Sequence, residues 1–326
     1  MAYVSQGLIE ATDYNNFVNN GSPNINAFWG IGSGDSGWGQ TAIPTVVAND
    51  PAVPVSATQW ATLVNTLSAA AGHTGTTITA RTAPTANTVI SVLADVQTDI
   101  NNVFANRRNA AASGPQNSNF TGSQSKTTDT SGTNWTITFT STVTFNDANA
   151  ARYFFNAGGR VKLETSKSST GNTGDPEWND LATNLMSDLF FTGGTATVNI
   201  AGTLYTGTTR SGGTGTPAVN VPFIGFYDLP PGGAAVEVFR QNADTAPYTA
   251  NYISVSLSLN AAQNIFTITT QWVNTDSDPI TGGTAVVNGG GGVPGTAPCS
   301  IVTLFFPSTT FISNTWSIPT VASSVA

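Results

Sequence analysis

Apolar residues in the first third of the chain recur every three or four positions, which is the spacing of one buried helical face. The pattern predicts a short helix over about 12–19 and a longer helix over about 88–106. Between them, Ser56 and Gln59 have the spacing of a capping box, so a third helix is predicted to begin at Ser56 and to end at Gly72. The buried face of this third helix carries Trp60, Leu63, Val64 and Leu67.

The pattern changes from helical to alternating in the second half of the chain. Residues 135–145 alternate as a half-buried strand does, and residues 251–273 have the pattern of a β-hairpin. Two short helices are predicted to interrupt the strands, one beginning at Asp147 and ending at Gly158, and one beginning at Asp175. Further strands are predicted at 160–166, 195–207, 223–229, 236–241 and 301–306.

The segment between the two halves has a distinct composition. It reads AAASGPQNSNFTGSQSKTTDTSG and carries almost no large apolar side chains, which is typical of a linker. We therefore predict a helical attachment module over 1–112, a linker over 113–132 and a strand-rich domain over 133–326. The predicted fold class is α+β, with the helical module followed by a mostly antiparallel, sandwich-like domain.

Charge is scarce along the chain. Only 9% of the 326 residues are charged, the net charge is −8, and there are ten Lys and Arg residues. This argues against nucleic acid as a partner, because non-specific binding needs a basic surface. The basic pair Arg107–Arg108 is interpreted as a partner for the dipole at a helix C-terminus. A surface poor in long charged side chains suits permanent packing in an assembly, so we expect a homo-oligomer.

The sequence also bears on location, membrane insertion and metal binding. The chain begins without a secretory signal pattern and has no apolar run of membrane-spanning length, so a soluble protein made in the cytoplasm is expected, with no membrane partner. One cysteine, Cys299, excludes an intrachain disulfide, and one histidine, His73, excludes a His-rich zinc site. Cys299 is interpreted as a small core or loop residue. We expect no cofactor and no metal, and leave open whether Asp276 and Asp278 bind Ca²⁺ or form a polar turn.

A glycine-rich segment around residues 30–40 matches two catalytic patterns. Its GDSG resembles the surroundings of a trypsin-like serine, Ser36, and its glycines also match the G-x-G-x-x-G dinucleotide fingerprint. The only histidine, His73, follows Ser36 within a Gly-rich turn, and the helix that a nucleotide site requires is interrupted by Pro44. We therefore predict a structural loop anchored by tryptophans. Trp29, Trp38 and Trp60 are candidate interface residues, and whether the loop tryptophans bury against this chain or a neighbour stays open.

Paired carboxylates are the remaining candidate chemistry. Asp175 and Glu177 have a spacing that would suit acid–base work on a glycosidic bond. A helix cap explains Asp175, and the helix dipole explains Glu177 in the first turn. We therefore assign no catalytic residue and expect no enzymatic activity.

Several segments, in this order, resemble virion structural proteins of tailed bacteriophages. The most specific are ARYFFNAGGRVKLETS at 151–166, DPEWNDLATNL at 175–185, GFYDL at 225–229, and the hairpin sequence at 247–274. The resemblance implies a non-enzymatic subunit of the phage particle, in the tail baseplate or an attached fibre, with copies of itself and other particle proteins as partners. It implies virion localisation and brings no catalytic residues.

Two alternatives remain open at this stage. One is a capsid decoration or head-fibre protein, and the other is a carbohydrate-binding or carbohydrate-cleaving adhesin module. Tryptophan and tyrosine side chains beside aspartate in a cleft would favour the adhesin.

Overall fold

A computed structural model describes most of the chain. It covers residues 11–46, 55–85, 95–110, 135–167, 175–275 and 299–326, and the backbone of strands at 113–117, 124–127 and 284–287. The first part of the chain is helical, and the second part is rich in strands that pair antiparallel with one parallel exception, so the predicted α+β class is confirmed. The helices are α1 Ala11–Asn15, α2 Asn26–Trp29, α3 Ala57–Thr74, α4 Val96–Ala105, α5 Ala148–Asn156 and α6 Asp175–Asp180.

The strands form two large sheets and one small hairpin. They are β1 Ser113–Asn117, β2 Gln124–Thr127, β3 Trp135–Thr144, β4 Arg160–Ser166, β5 Asp188–Phe191, β6 Val198–Ile200, β7 Thr203–Tyr205, β8 Thr208–Ser211, β9 Val219–Asn220, β10 Val236–Asn242, β11 Tyr252–Leu259, β12 Ile265–Asn274, β13 Thr284–Val287, β14 Cys299–Pro307 and β15 Thr320–Val325. One sheet has the order β2-β13-β14-β4-β5-β8, with β1 also paired to β14. The other has the order β15-β3-β12-β11-β10-β9, and β6 pairs with β7.

The predicted start of α3 is confirmed, whereas its predicted end is not. The capping box is present, with Ser56 Oγ accepting from Gln59 N at 3.3 Å and Gln59 Oε1 accepting from Ser56 N at 2.7 Å. The predicted end at Gly72 is wrong, because α3 continues to Thr74 and ends at the left-handed Gly75. Gly72 instead allows a close approach: a Cβ there would lie 2.6 Å from the ring of Phe311.

The other helix predictions have mixed outcomes. The short helix is confirmed, because α1 continues as one π-helical turn over Asn16–Asn20. The helix α4 lies within the predicted 88–106, of which 88–94 lie outside the described residues. Asp147 caps α5 by accepting from Ala150 N at 2.8 Å, as predicted. The helix α6 begins at Asp175, whose side chain is not among the described groups.

The two large sheets face each other around the core, as expected for a sandwich. The rings of Phe191 in β5 and Phe266 in β12 lie 6.1 Å apart, and Ser300 Oγ in β14 donates to Thr270 Oγ1 in β12 at 3.3 Å. The predicted hairpin is confirmed as β11 and β12. Cys299 is buried in β14, in agreement with its interpretation as a core residue.

The strand β3 lies between two strands that come much later in the chain. It pairs with β12 on one side and with β15 on the other. Ser141 in β3 and Ser323 in β15 share a hydrogen bond of 3.0 Å between their hydroxyls, across 182 residues of sequence. The centre of this sheet therefore depends on long-range pairing.

Two sequence predictions are corrected by the strand assignments. Residues 223–229 do not form a strand; Phe226–Asp228 form a 3₁₀ turn, because Asp228 Oδ2 accepts from Gly225 N at 2.9 Å. Residues 113–132 are not simply a linker, because β1 pairs with β14 and β2 pairs with β13. Backbone hydrogen bonds bring this polar segment into the sheet although it has few apolar side chains.

The packing is continuous across the predicted boundary at residue 112. Buried side chains of the helical region, such as Trp38 and Trp60, belong to the same hydrophobic core as Phe154 of α5 and Phe266 of β12. The composition change is therefore not a break in the core. The division into two domains stays a prediction.

Candidate functional site

The glycine-rich segment is a compact loop that follows α2. Gly32, Gly34, Gly37 and Gly39 all have positive φ, between 53° and 92°. A Cβ at Gly37 would overlap the carbonyl of Ile31, so a glycine is required there. The chain thus turns back on itself instead of entering a helix. The glycines that match the dinucleotide fingerprint are needed for these turns.

The helix α5 holds this loop through two polar side chains. Arg152 Nε donates to Gly34 O at 2.9 Å, and its Nη2 donates to Ser36 O at 3.1 Å. Asn156 Nδ2 donates to Gly37 O at 3.0 Å. Arg152 and Asn156 are four positions apart and therefore lie on the same side of the helix. Neither residue was predicted to be functional from the sequence, although two polar residues at this spacing within the aromatic sequence ARYFFN were an available signal.

Trp38 lies in the chain's own core. It is fully buried, and its Nε1 donates to Asn156 O at 3.1 Å and to Arg107 O at 3.2 Å. Its ring meets the ring of His73 edge-on, with 4.9 Å between centroids. The sequence left open whether Trp38 buries against this chain or a neighbouring subunit. This chain covers the whole side chain, so its place among the candidate interface residues is corrected.

The other two candidate interface tryptophans differ from each other. Trp60 is fully buried in α3 against Tyr14 and Phe17, so its interface role is corrected for the same reason. Trp29 is half-buried, packs edge-on against Trp38 at 6.2 Å, and donates from Nε1 to Thr41 O at 3.2 Å. Of the three, Trp29 alone keeps a partly exposed surface.

The residues that resemble a protease motif each have a separate partner. Ser36 Oγ donates to Ser33 O at 2.8 Å. Asp35 forms ion pairs with Arg107 and Arg108, which follow the last turn of α4. These contacts stabilise the fold of the loop and join it to α4.

The single histidine is a buried structural group. His73 Nε2 lies 3.0 Å from Ala157 O, and because a carbonyl oxygen only accepts, Nε2 carries the proton. Burial lowers the pKa of His73 to about 4. The neutral imidazole therefore serves as a hydrogen-bond donor that joins α3 to the end of α5.

The basic pair has a second role beside the predicted one. Arg107 Nη1 donates to Phe104 O at 3.0 Å, in the last turn of α4, as expected for a cation at a helix C-terminus. Both arginines also reach Asp35 in the glycine-rich loop. The pair thus connects the loop to α4 while α5 holds it from the other side.

A cavity of about 320 Å³ opens where these elements meet the first sheet. Its polar lining includes Asp35, Arg108, Asn156, Thr195 and Asp228. Rings and aliphatic side chains, together with bare glycine backbone, form the rest of the wall. This size lies at the lower end of the range for small-molecule sites, which is about 300–1,000 Å³.

Glycines shape the walls of this cavity. Gly158, at the end of α5, has φ of 96°, and a Cβ there would lie 2.7 Å from the Cβ of Ala110. A Cβ at Gly193 would lie 3.1 Å from the ring of Tyr227. A side chain at Gly158 would therefore displace Ala110, and one at Gly193 would press against the ring of Tyr227.

Tyr227 and Asp228 are fixed in the cavity wall by hydrogen bonds. Tyr227 OH donates to Asn156 Oδ1 at 2.8 Å, and burial raises the pKa of this hydroxyl above its usual range. Asp228 Oδ1 accepts from Thr195 Oγ1 at 2.6 Å, while its Oδ2 accepts from Gly225 N. The polar part of the wall is therefore ordered by the protein itself.

A separate group of carboxylates lies near the start of α6. The group consists of the side chains of Glu177, Asp180 and Asp244. Each has one carboxylate oxygen within 4.8 Å of a carboxylate oxygen of the other two, and Glu177 is buried. Oxygens at this separation are able to share one divalent cation. The sequence had paired Glu177 with Asp175, and the structure places Glu177 beside Asp180 and Asp244. The proposed calcium ligands Asp276 and Asp278 lie outside the described residues.

Comparisons of the chain with protein-family models, with curated proteins and with solved structures find no match. The resemblance to structural proteins of tailed phages therefore stays a prediction. None of the helices in the described part of the chain combines the length and the hydropathy needed to cross a membrane.

Proposed function

We propose that this protein is a non-enzymatic structural subunit of a tailed-phage particle, located in the tail baseplate or an attached fibre. It would work by packing against copies of itself and against other particle proteins. The order of the resembling segments supports this proposal, as does a composition in which only 9% of residues are charged. A capsid decoration or head fibre remains the alternative location.

The observation that carries the proposal is a set of exposed apolar side chains. Among the described residues, five large apolar side chains are between 39% and 65% exposed: Ile31, Leu204, Phe223, Phe311 and Ile318. All five lie in loops or in the β6–β7 hairpin, outside the strands of the two large sheets. Burying one such side chain contributes about 1.5–3 kcal/mol, so each of them that a neighbouring subunit covers would stabilise the contact.

The loop that carries Ile31 is fixed before any partner binds. Arg152 Nη2 donates to Ile31 O at 3.3 Å, beside its bonds to other carbonyls of the loop. A preformed contact surface loses less conformational entropy on association than a mobile one. The loop therefore presents Ile31 in a form suited to a permanent interface.

The first test is to look for the chain in particles of the phage that encodes it. Mass spectrometry of purified particles should detect it, and imaging of the particle should locate it at the tail. Density at the capsid surface would select the alternative location. Absence of the chain from purified particles would refute the proposal.

The second test is the oligomeric state of the purified protein by sedimentation velocity. We expect a stable oligomer, and we expect at least one of Ile31→Ser, Leu204→Ser and Phe223→Ser to weaken association by about tenfold or more. Thr203→Ser, an exposed change beside Leu204, is the matched control and should leave association unchanged. A protein that stays monomeric at high concentration, alone and with the other particle proteins, would contradict the proposed mode of action.

A further inference from the structure

The cavity described above has the construction of a binding site. It lies where the glycine-rich loop, the ends of α4 and α5, and the loop after β5 meet. Residues from both sides of the predicted domain boundary, such as Asp35 and Asp228, contribute to it. Thr195 is exposed in its wall, so a ligand in solution is able to reach it.

Charges in the wall are balanced within the protein. The carboxylate of Asp35 is paired with Arg107 and Arg108. The carboxylate of Asp228 accepts hydrogen bonds from Thr195 and from the backbone of Gly225. An anion or a cation would have to compete with these partners, so the arrangement favours a neutral ligand.

The wall nevertheless offers polar groups to a ligand. Arg108 lines the cavity, and its side chain, which is 30% exposed, presents guanidinium N–H groups beside Asp35. Carboxylate oxygens accept more than one hydrogen bond, so Asp35 and Asp228 keep acceptor capacity. A purely hydrocarbon ligand would leave these groups unsatisfied, at a cost in free energy.

The rest of the wall is apolar. Phe155 and Tyr227 contribute aromatic surface, and Val198 and Ile200 contribute aliphatic surface. A pyranose ring combines the two kinds of surface that this wall requires, because hydroxyl groups surround its edge while its C–H groups form an apolar face. It also carries no charge.

We propose that this cavity binds one neutral sugar ring, free or as a residue of a glycan. Arg108 donates to a hydroxyl of the sugar, the carboxylates of Asp35 and Asp228 accept from its hydroxyls, and the apolar face lies against the side chains of the wall. The proposal does not depend on the phage assignment, because sugar binding is measured on the isolated protein.

The direct test is titration of the purified full chain with four separate probes: glucose, galactose, mannose and N-acetylglucosamine. Saturation-transfer NMR should detect binding of at least one of them, and calorimetry should give a saturable isotherm. For a ligand of about twelve non-hydrogen atoms, ordinary binding efficiency gives a dissociation constant on the order of 1 mM. Absence of saturable binding for all four sugars would overturn the proposal.

Two variants locate the bound sugar. Ala196→Trp adds a large side chain to the cavity wall and should abolish binding, whereas Thr197→Trp, at the next and exposed position outside the lining, should retain it. Arg108→Gln should weaken binding by about tenfold or more, because it removes a charged donor. Arg240→Gln, an arginine of β10 outside the lining, is its control.

Both cavity variants are first compared with the unmodified protein by thermal unfolding. If Arg108→Gln fails to fold, Ala196→Trp and its control still decide the question. Binding that is equally strong in Ala196→Trp and in the unmodified protein would place the sugar elsewhere and overturn the proposal.

Discussion

Asn156 is the residue through which α5 holds both the glycine-rich loop and the cavity wall. Its side chain is buried, with Nδ2 donating to Gly37 O at 3.0 Å and Oδ1 accepting from Tyr227 OH at 2.8 Å. Asn156→Ala removes both bonds and leaves two buried polar groups without this partner. A buried group that loses its partner costs about 1–3 kcal/mol. Tyr227 OH also lies 3.3 Å from Arg152 O, which lessens its loss.

We therefore expect Asn156→Ala to lower the free energy of unfolding by about 2–4 kcal/mol. Urea unfolding followed by tryptophan fluorescence measures this change, because Trp38 donates to the backbone oxygen of the same residue. The urea concentration at the midpoint of unfolding should fall, while the slope of the free energy of unfolding against urea concentration should stay the same. Asn149→Ala, an exposed position on the same helix, is the control and should change stability by no more than about 0.5 kcal/mol.

A double-mutant cycle separates the two bonds. Tyr227→Phe removes the hydroxyl alone, so the free-energy changes of Asn156→Ala and Tyr227→Phe should not add, with a coupling of about 0.5–3 kcal/mol. A loss below about 0.5 kcal/mol for Asn156→Ala would refute the reasoning, because it would mean that neither buried group depends on this side chain.

Two further predictions concern His73 and the glycine-rich loop. The pKa of His73 is about 4 in the folded protein, below its ordinary value of 6.5, so folding favours the neutral ring. The neutral ring therefore contributes fully to the free energy of unfolding above pH 6.5, and this contribution is lost as the pH falls towards 4. Urea unfolding should show a loss of up to about 3 kcal/mol across this window, and His73→Phe should flatten the profile; an unchanged slope would contradict the assignment. Gly37→Ala should destabilise the protein more than Gly34→Ala, because the new Cβ overlaps Ile31 at the first position and meets no atom within 4 Å at the second. Thermal unfolding measures both variants, and equal losses would show that the overlap is relieved.

Local patterns predicted much of the fold. The capping box at Ser56 and the cap at Asp147 depend on residues three positions apart, and both are present. The alternating pattern of β11 and β12 likewise contains both halves of its hairpin within about 23 residues of sequence. Such signals are readable because the interacting groups lie close together along the chain.

The errors have a different physical origin. Gly72 was taken for a helix end, but it lies within α3, where its lack of a side chain makes room for the ring of Phe311, far along the sequence. The polar strands β1 and β2 were taken for a linker, because strand pairing through the backbone leaves no mark in side-chain composition. Tertiary contacts decided each of these cases.

The candidate site could be predicted only in part. The glycine-rich loop was identified as a structural loop with tryptophan anchors, and Trp38 does anchor it, through the backbone oxygens of Arg107 and Asn156. The cavity itself could not be predicted, because Asp35 and Asp228 are nearly 200 residues apart and meet only through the fold. A sequence pattern shows which residue types are present, but it does not show which distant residues meet in one cavity wall.

The position of β3 sets an order of events during synthesis. Its neighbour β12 lies about 120 residues later, as shown by the bond between Asn264 and Phe145, and its other neighbour β15 lies 182 residues later at Ser323. At about 5–20 residues per second, the ribosome needs roughly 6–24 s to produce the first partner and roughly 9–36 s to produce the second. Until β12 has been made, the uncharged segment WTITFTSTVT has both edges unpaired, and until β15 has been made it keeps one unpaired edge. An unpaired edge is the feature most prone to pairing with another nascent chain. Rapid, crowded expression therefore places the greatest risk of aggregation on this strand, well before any subunit contact forms.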